Sequence, residues 1–321
     1  MSDHTPDQIT IDRESFNELI LSSHNELKRQ RRSRWAMFGI KLSLFAGVLG
    51  LAYMTSQAKI ADSLSNPNKD HIAVVEVYGA IAAGQLADAD RLTPALHRAF
   101  QSPTSKAVAI RINSPGGSPV HAGRLFAEVN KLKALHPDKT VYSVIEDIGA
   151  SAAYYIAASA DKIYVDQASM VGSIGVITEG FGYDSIMEKA GVERRVLQAG
   201  KFKALLDPYA PANDGVTEHW QAMLDEVHEQ FIAAVKAGRG DRLNLELEPD
   251  LFEGLIFTGH RSVELGIADS LGSLTDISRE EVGAINIVDY TPAPDLLKSI
   301  TGQASATMSA MFASLTTPSL R

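Results

Sequence analysis

The order of apolar and polar positions divides the chain into stretches of different kinds. Residues 1–34 are polar and end in a basic cluster of Lys28, Arg29, Arg31, Arg32 and Arg34. Residues 35–54, WAMFGIKLSLFAGVLGLAYM, come next with Lys41 as their one charged side chain. At about 1.5 Å of rise per residue, a helix of this length matches the roughly 30 Å hydrocarbon core of a bilayer. Trp35 and Tyr53 stand at its two ends, where amphipathic rings favour the interface, and Lys41 is close enough to the basic end to snorkel. The run lacks the polar face that a buried helix of a soluble protein shows. It predicts a single transmembrane anchor with its basic N-terminal side in the cytoplasm. The rest of the chain then lies across the membrane, in a bacterial cell in the periplasm at the inner membrane. A secretory leader normally begins at the very start of a chain, and this run begins after 34 residues. The small residues of TSQAKIADS still offer a cleavage site, so retention of the anchor stays open.

Residues 55–70 read as a linker, and from His71 the pattern changes. Short β-branched, apolar runs at 72–77, 107–112, 140–145, 162–165 and 174–177 predict strands. Between them, 118–134 and 151–160 read as helical. The 216–237 stretch repeats its apolar positions at three- and four-residue spacing, with Gly238 placed to end the helix. Strands alternating with helices imply βαβ units and a largely parallel α/β sheet. The pattern predicts one domain over 71–290 and a tail over 291–321, whose Ala-, Ser- and Thr-rich end is expected to fray.

Composition narrows the chemistry. Of 321 residues 45% are hydrophobic, enough for a sizeable core, and the net charge of −9 argues against nucleic acid as a partner. The absence of cysteine removes a disulfide framework, a thiolate nucleophile and any Cys-ligated metal. The nine histidines are scattered and form no HExxH pattern, so surface or hydrogen-bonded roles are expected and no metal site.

Three segments carry candidate chemistry. In RINSPGGS, 111–118, a strand runs through Pro-Gly-Gly into a helix, where glycines can turn backbone N–H groups toward a reacting oxygen. The same tripeptide is also an ordinary loop signature. In EDIGASAAYYIAASA, 146–160, Ser151 opens a small-residue helix beside exposed N–H groups and the positive end of its dipole. A serine there is also a common helix cap. In QAGKFKALLDPY, 198–209, Lys201 and Lys203 lie on a loop. Loop lysines are normally solvated, and one serving as a base must be desolvated so that it can lose its proton near neutrality. A nucleophilic serine needs a base. No histidine lies between Ser151 and His219, which makes lysine an attractive substitute, although a distant histidine is not excluded.

Together these segments resemble the signal peptide peptidase A family, the S49-type bacterial serine proteases, in its short single-domain form. The resemblance spans about residues 70–280 and the anchor. It rests on NSPGG (113–117), GASAAYYIA (149–157), ADKIYV (160–165), VGSIGVI (171–177) and GKFKALLDP (200–208). It implies a crotonase/ClpP-like α/β superfold behind an N-terminal transmembrane helix. It also implies Ser151 as nucleophile, Lys203 as general base and Ser173 as the hydroxyl that orients the lysine. Backbone N–H groups of Gly117 and Ala152 form the implied oxyanion hole. Where the family often has Ser-Gly-Gly this chain has Ser151-Ala152-Ala153, which puts the second donor in question. The implied activity is endopeptidase cleavage of leftover signal peptides in or near the membrane, with no cofactor or metal. The implied assembly is a ring of eight copies, each serine meeting a neighbour's lysine. A crotonase-type acyl-CoA enzyme and a non-catalytic membrane scaffold are the competing readings.

Overall fold

The computed structural model describes residues 66–283 and 286–293, together with residues 41, 43, 45, 47 and 48, which are helical. The rest of the expected anchor, the basic arm, most of the linker and the tail from residue 294 lie outside the described residues. Among the described residues no helix is long and apolar enough to cross a membrane. The chain divides into two compact units, Met1–Leu64 and Ser65–Arg321. The second unit holds the sheet and its helices.

Strands and helices alternate in the order β1 (His71–Tyr78), α1 (Ala89–Gln101), β2 (Ser105–Ser114), α2 (Pro119–Leu135), β3 (Thr140–Ala150) and α3 (Ala152–Ala157). Then come β4 (Lys162–Val165), β5 (Met170–Gly172), α4 (Asp184–Lys189), α5 (Asp214–Arg239), β6 (Ile256–Thr258), α6 (Gly259–Glu264), β7 (Ser270–Leu271) and β8 (Ile287–Asp289). The sheet runs β6-β5-β3-β2-β1-β8, with β4 and β7 branching from β3. Every pairing is parallel except β5 with β6. In β2, Ala107 to Ile110 are buried without a break, the pattern of a strand covered on both faces.

β3 is the pivot. Its first half, Tyr142 to Ile145, pairs with β4, and its end, Ile148 to Ala150, pairs with β5. The last residues of β3 therefore exchange β4 for β5 as neighbour while Gly149 still pairs with Ser114 of β2, and the turn beyond Ala150 packs against the loop that ends β2.

The main core lies between one sheet face and the helices, with Val75, Ile110 and Ile112 meeting Leu92, Leu96, Leu125 and Tyr154. A smaller core on the opposite face joins Ile72, Val74, Ala109, Tyr142 and Val144 to Ile277. α1 buries Ala89, Leu92, Ala95, Leu96 and Ala99, one stripe at helical spacing, behind Asp88 as its cap. Ser118 caps α2 ahead of Pro119, whose missing N–H costs nothing in the first turn.

Two boundaries differ from the sequence pattern. The strand expected at 174–177 is absent there, and β5 ends at Gly172 because Ser173, at φ 50°, leaves the extended region. α5 runs past Gly238 to Arg239 and is closed by Gly240, at φ 53°. Gly238 serves packing instead: a Cβ there would lie 1.8 Å from the carbonyl oxygen of Ala158, at the end of α3.

Arg239, 1% exposed, locks the end of α5 to the sheet. Its two terminal nitrogens donate to Asp269 at 2.8 and 2.9 Å, and its Nε donates to the Gly266 carbonyl. Burial pushes the Asp269 carboxyl up, but the bonds from Arg239, the Ile163 N–H and nearby Arg242 outweigh it and hold the group below its ordinary range. A depressed folded value gives stability that is present above the ordinary aspartate value and lost as pH falls through the folded one. Asp269→Ala, which leaves Arg239 buried without its counter-charge, is expected to cost about 3–5 kcal/mol. Denaturant titration at neutral pH checks this, and the gap between variant and parent should narrow below the ordinary aspartate range.

Candidate active site

The turn after β3 is made by one residue. Ala150 ends the strand, Ala152 begins α3, and Ser151 between them adopts φ 55°, ψ −127°. That conformation crowds Cβ in any residue but glycine, and such strain persists only where surrounding structure imposes it. Here the Ser151 N–H donates to the Gly172 carbonyl at 2.8 Å and its carbonyl accepts the Tyr155 N–H at 3.0 Å. The helix-cap alternative fails, because the Ser151 side chain makes no capping bond. Ser151 is half-buried, and its hydroxyl has no hydrogen-bond partner among the described residues.

The Pro-Gly-Gly loop packs against this turn. A Cβ on Gly116 would lie 2.8 Å from both the Ala150 carbonyl oxygen and the Ser151 Cβ, and 3.1 Å from the Ala152 nitrogen. Only glycine permits that approach. Gly117, at φ 145°, lies so close to Ile81 that a Cβ would meet its carbonyl oxygen at 2.2 Å. The Ile81 N–H donates to the Gly116 carbonyl at 2.9 Å, and the Ser118 N–H donates to the Ile81 carbonyl at 2.7 Å. The Gly117 N–H between them has no acceptor among the described residues. Neither has the Ala152 N–H, in the first turn of α3, where helix geometry offers none. Gly117→Ala is expected to push this loop off Ile81 and lower the melting temperature. Faster amide exchange at Ser118 would report the same opening.

Ser173 sits alongside. Parallel pairing places Ala150 opposite Gly172, so Ser151 and Ser173 leave adjoining strands at the same level. Both have positive φ, a feature shared among described non-glycine residues with Leu206 alone. The Ser173 N–H donates to the Leu255 carbonyl at 2.7 Å.

Lys203 is not drawn in with them. It occupies a turn in the stretch 176–213, which loops out between β5 and α5, and is exposed with its N–H donating to the Gly200 carbonyl at 3.1 Å. Among the described residues its side chain has no hydrogen bond or ion pair. Lys201 is also exposed, with Nζ 5.0 Å from the centre of the Phe202 ring. The arm is tied within itself, by Arg194 to Asp207 and by the Tyr183 N–H donating to the Pro208 carbonyl at 2.6 Å. Ile177, Phe181, Leu197 and Phe202 on it are exposed.

These features define an α/β protein with a strained serine set between unpaired backbone donors at the end of a parallel sheet. The Peptidase family S49 profile matches residues 133–283. The putative protease slr0021 of Synechocystis sp. is 34% identical over 211 residues, which cover 64% of this chain and 71% of that protein. The chain belongs to peptidase family S49. A putative signal peptide peptidase SppA of Enterococcus faecium is 32% identical over 171 residues, 53% of this chain and 48% of that protein. The Na(+)/H(+) antiporter NhaA of Brucella melitensis is 40% identical over 217 residues, 66% of this chain, but the match spans 29% of that longer protein.

Proposed function

We propose that this chain is a membrane-anchored serine endopeptidase with a Ser151–Lys203 dyad that degrades cleaved signal peptides and similar apolar peptides. The observation that carries the reading is the strained Ser151 turn, with the Gly117 and Ala152 N–H groups free beside it. Strain and unpaired donors at one point suit a nucleophile facing a developing oxyanion. The crotonase/ClpP-like superfold is the architecture this reading assigns to the sheet and its helices.

In the proposed cycle, neutral Lys203 Nζ takes the proton of Ser151 Oγ as that oxygen bonds to the peptide carbonyl carbon. The oxyanion accepts hydrogen bonds from the Gly117 and Ala152 N–H groups. Collapse breaks the C–N bond, and the lysine ammonium returns its proton to the leaving amine. Water then attacks the acyl-enzyme with the lysine again as base. The Ser173 hydroxyl, one strand over, holds the lysine in line.

Lys203 comes from a neighbouring copy in this reading, in a ring of eight. Its exposure and the apolar side chains carried on its arm support delivery across an interface. The desolvation a lysine base needs would come from that contact. In this reading the run 35–54 is a membrane anchor, with the catalytic unit on the periplasmic face of a bacterial inner membrane and the N-terminus in the cytoplasm. The full-length chain in detergent is expected to cleave an unstructured peptide of small and aliphatic residues and to spare a folded protein. Absence of peptide cleavage, measured by mass spectrometry, would overturn the reading.

A further inference from the structure

We propose that His228, on α5, is a positioning residue that holds the Ser173 turn and the root of the lysine-bearing arm in one place. The inference rests on the reading of Ser151 and Ser173 as site residues and adds what fixes them.

The His228 Nε2 lies 2.7 Å from the Phe252 carbonyl oxygen and 3.1 Å from the Ile174 carbonyl oxygen. Both partners are acceptors only, so Nε2 carries the proton and shares it between them. Ile174 immediately follows Ser173, and beyond it the chain departs into the arm. Phe252 opens the loop that ends in β6, and that loop in turn grips the serine turn. The Leu255 carbonyl accepts the Ser173 N–H at 2.7 Å, and the Gly254 N–H donates to the Ile174 carbonyl at 3.1 Å.

One ring nitrogen therefore joins three separate pieces of chain. They are the arm's departure at Ile174, its return along α5 and the strap over Ser173. Its place on α5 gives this weight. No residue of α5 before Phe231 is fully buried, so His228 stands one turn ahead of the point where the helix enters the core. Its bonds are the first side-chain ties between α5 and the loops flanking Ser173. Ser173 holds a positive φ, which its own backbone would relax if those ties loosened. Without the imidazole, the Ile174 carbonyl keeps Gly254, whereas the Phe252 carbonyl loses its one donor among the described residues.

The test compares His228→Gln, which keeps an N–H donor at similar reach, with His228→Leu, which removes it, in the full-length protein. The readouts are kcat, KM and melting temperature on one apolar peptide, with Ser151→Ala beside them. His228→Leu is expected to lose about ten- to a hundredfold in kcat with KM changed less than about threefold, as for loss of a supporting-shell contact. His228→Gln should restore most of that kcat. A His228→Leu enzyme with parental kcat per folded chain, or a loss that His228→Gln does not rescue although it folds, would overturn the proposal. Parental activity in Ser151→Ala would instead overturn the underlying reading of the site.

Discussion

Ser151→Ala is expected to abolish peptide cleavage, a fall of about four or more orders of magnitude in kcat, as when a hydrolase loses its nucleophile. The fold should survive, since the hydroxyl makes no bond that holds the turn. Ser151→Gly separates the two roles of the position. It lacks the hydroxyl and should be equally inactive, yet it accepts φ 55° without strain. The glycine variant should exceed the alanine variant in stability by about 1–3 kcal/mol, the cost of holding a residue with a Cβ in a sparsely populated backbone region. Denaturant unfolding of the pair measures that difference. An alanine variant as stable as the glycine variant would mean that the Ser151 backbone is not strained.

Lys203→Ala carries the second large effect. Loss of a general base is expected to lower kcat by about a hundred- to ten-thousandfold. Lys201→Ala, which removes a solvent-exposed ammonium resting on Phe202, should stay near the parent. The single chain leaves Lys203 exposed and unlinked to Ser151, so the proposed dyad needs a second copy. That makes mixing informative. Ser151→Ala and Lys203→Ala chains, each inactive alone, should recover activity when assembled together. Roughly a quarter of the parental rate is expected, the share of interfaces pairing an intact serine with an intact lysine. No recovery from stable mixed assemblies would mean that serine and lysine act within one chain.

Much of the architecture is readable directly from residue pattern. The runs at 72–77, 107–112, 140–145 and 162–165 are strands because β-branched and apolar side chains fill both faces of a covered parallel sheet. The long amphipathic pattern at 216–237 is a helix, extended at both ends to 214–239. β6, β7 and β8 are not legible in this way. Strands of two or three residues carry no period, and their pairings, such as Val74 with Asp289, depend on partners far along the chain.

The site is legible in part. Ser151 and the Pro-Gly-Gly loop stand out in the sequence, Ser173 and Ala152 enter only through the family resemblance, and the backbones of these residues lie at the ends of β2, β3 and β5. The reason that Gly117 must be glycine is not visible there, because it lies in Ile81, which pattern alone does not bring near. His228 is hidden for the same reason. Its partners lie 24 and 54 residues away, and nothing in its neighbourhood on α5 marks it among nine scattered histidines. The run 174–177 misleads because its residues are strand formers, yet the chain turns at Ser173 just before them.

Covalent capture of the nucleophile tests the role of Ser151. The full-length protein would be treated with a peptidyl fluorophosphonate of small aliphatic sequence, and the modified residue mapped by mass spectrometry. A single adduct on Ser151 is expected, whose formation slows sharply in Lys203→Ala and is unchanged in Lys201→Ala. An adduct on another residue, or labelling of Ser151 at the parental rate without Lys203, would contradict it.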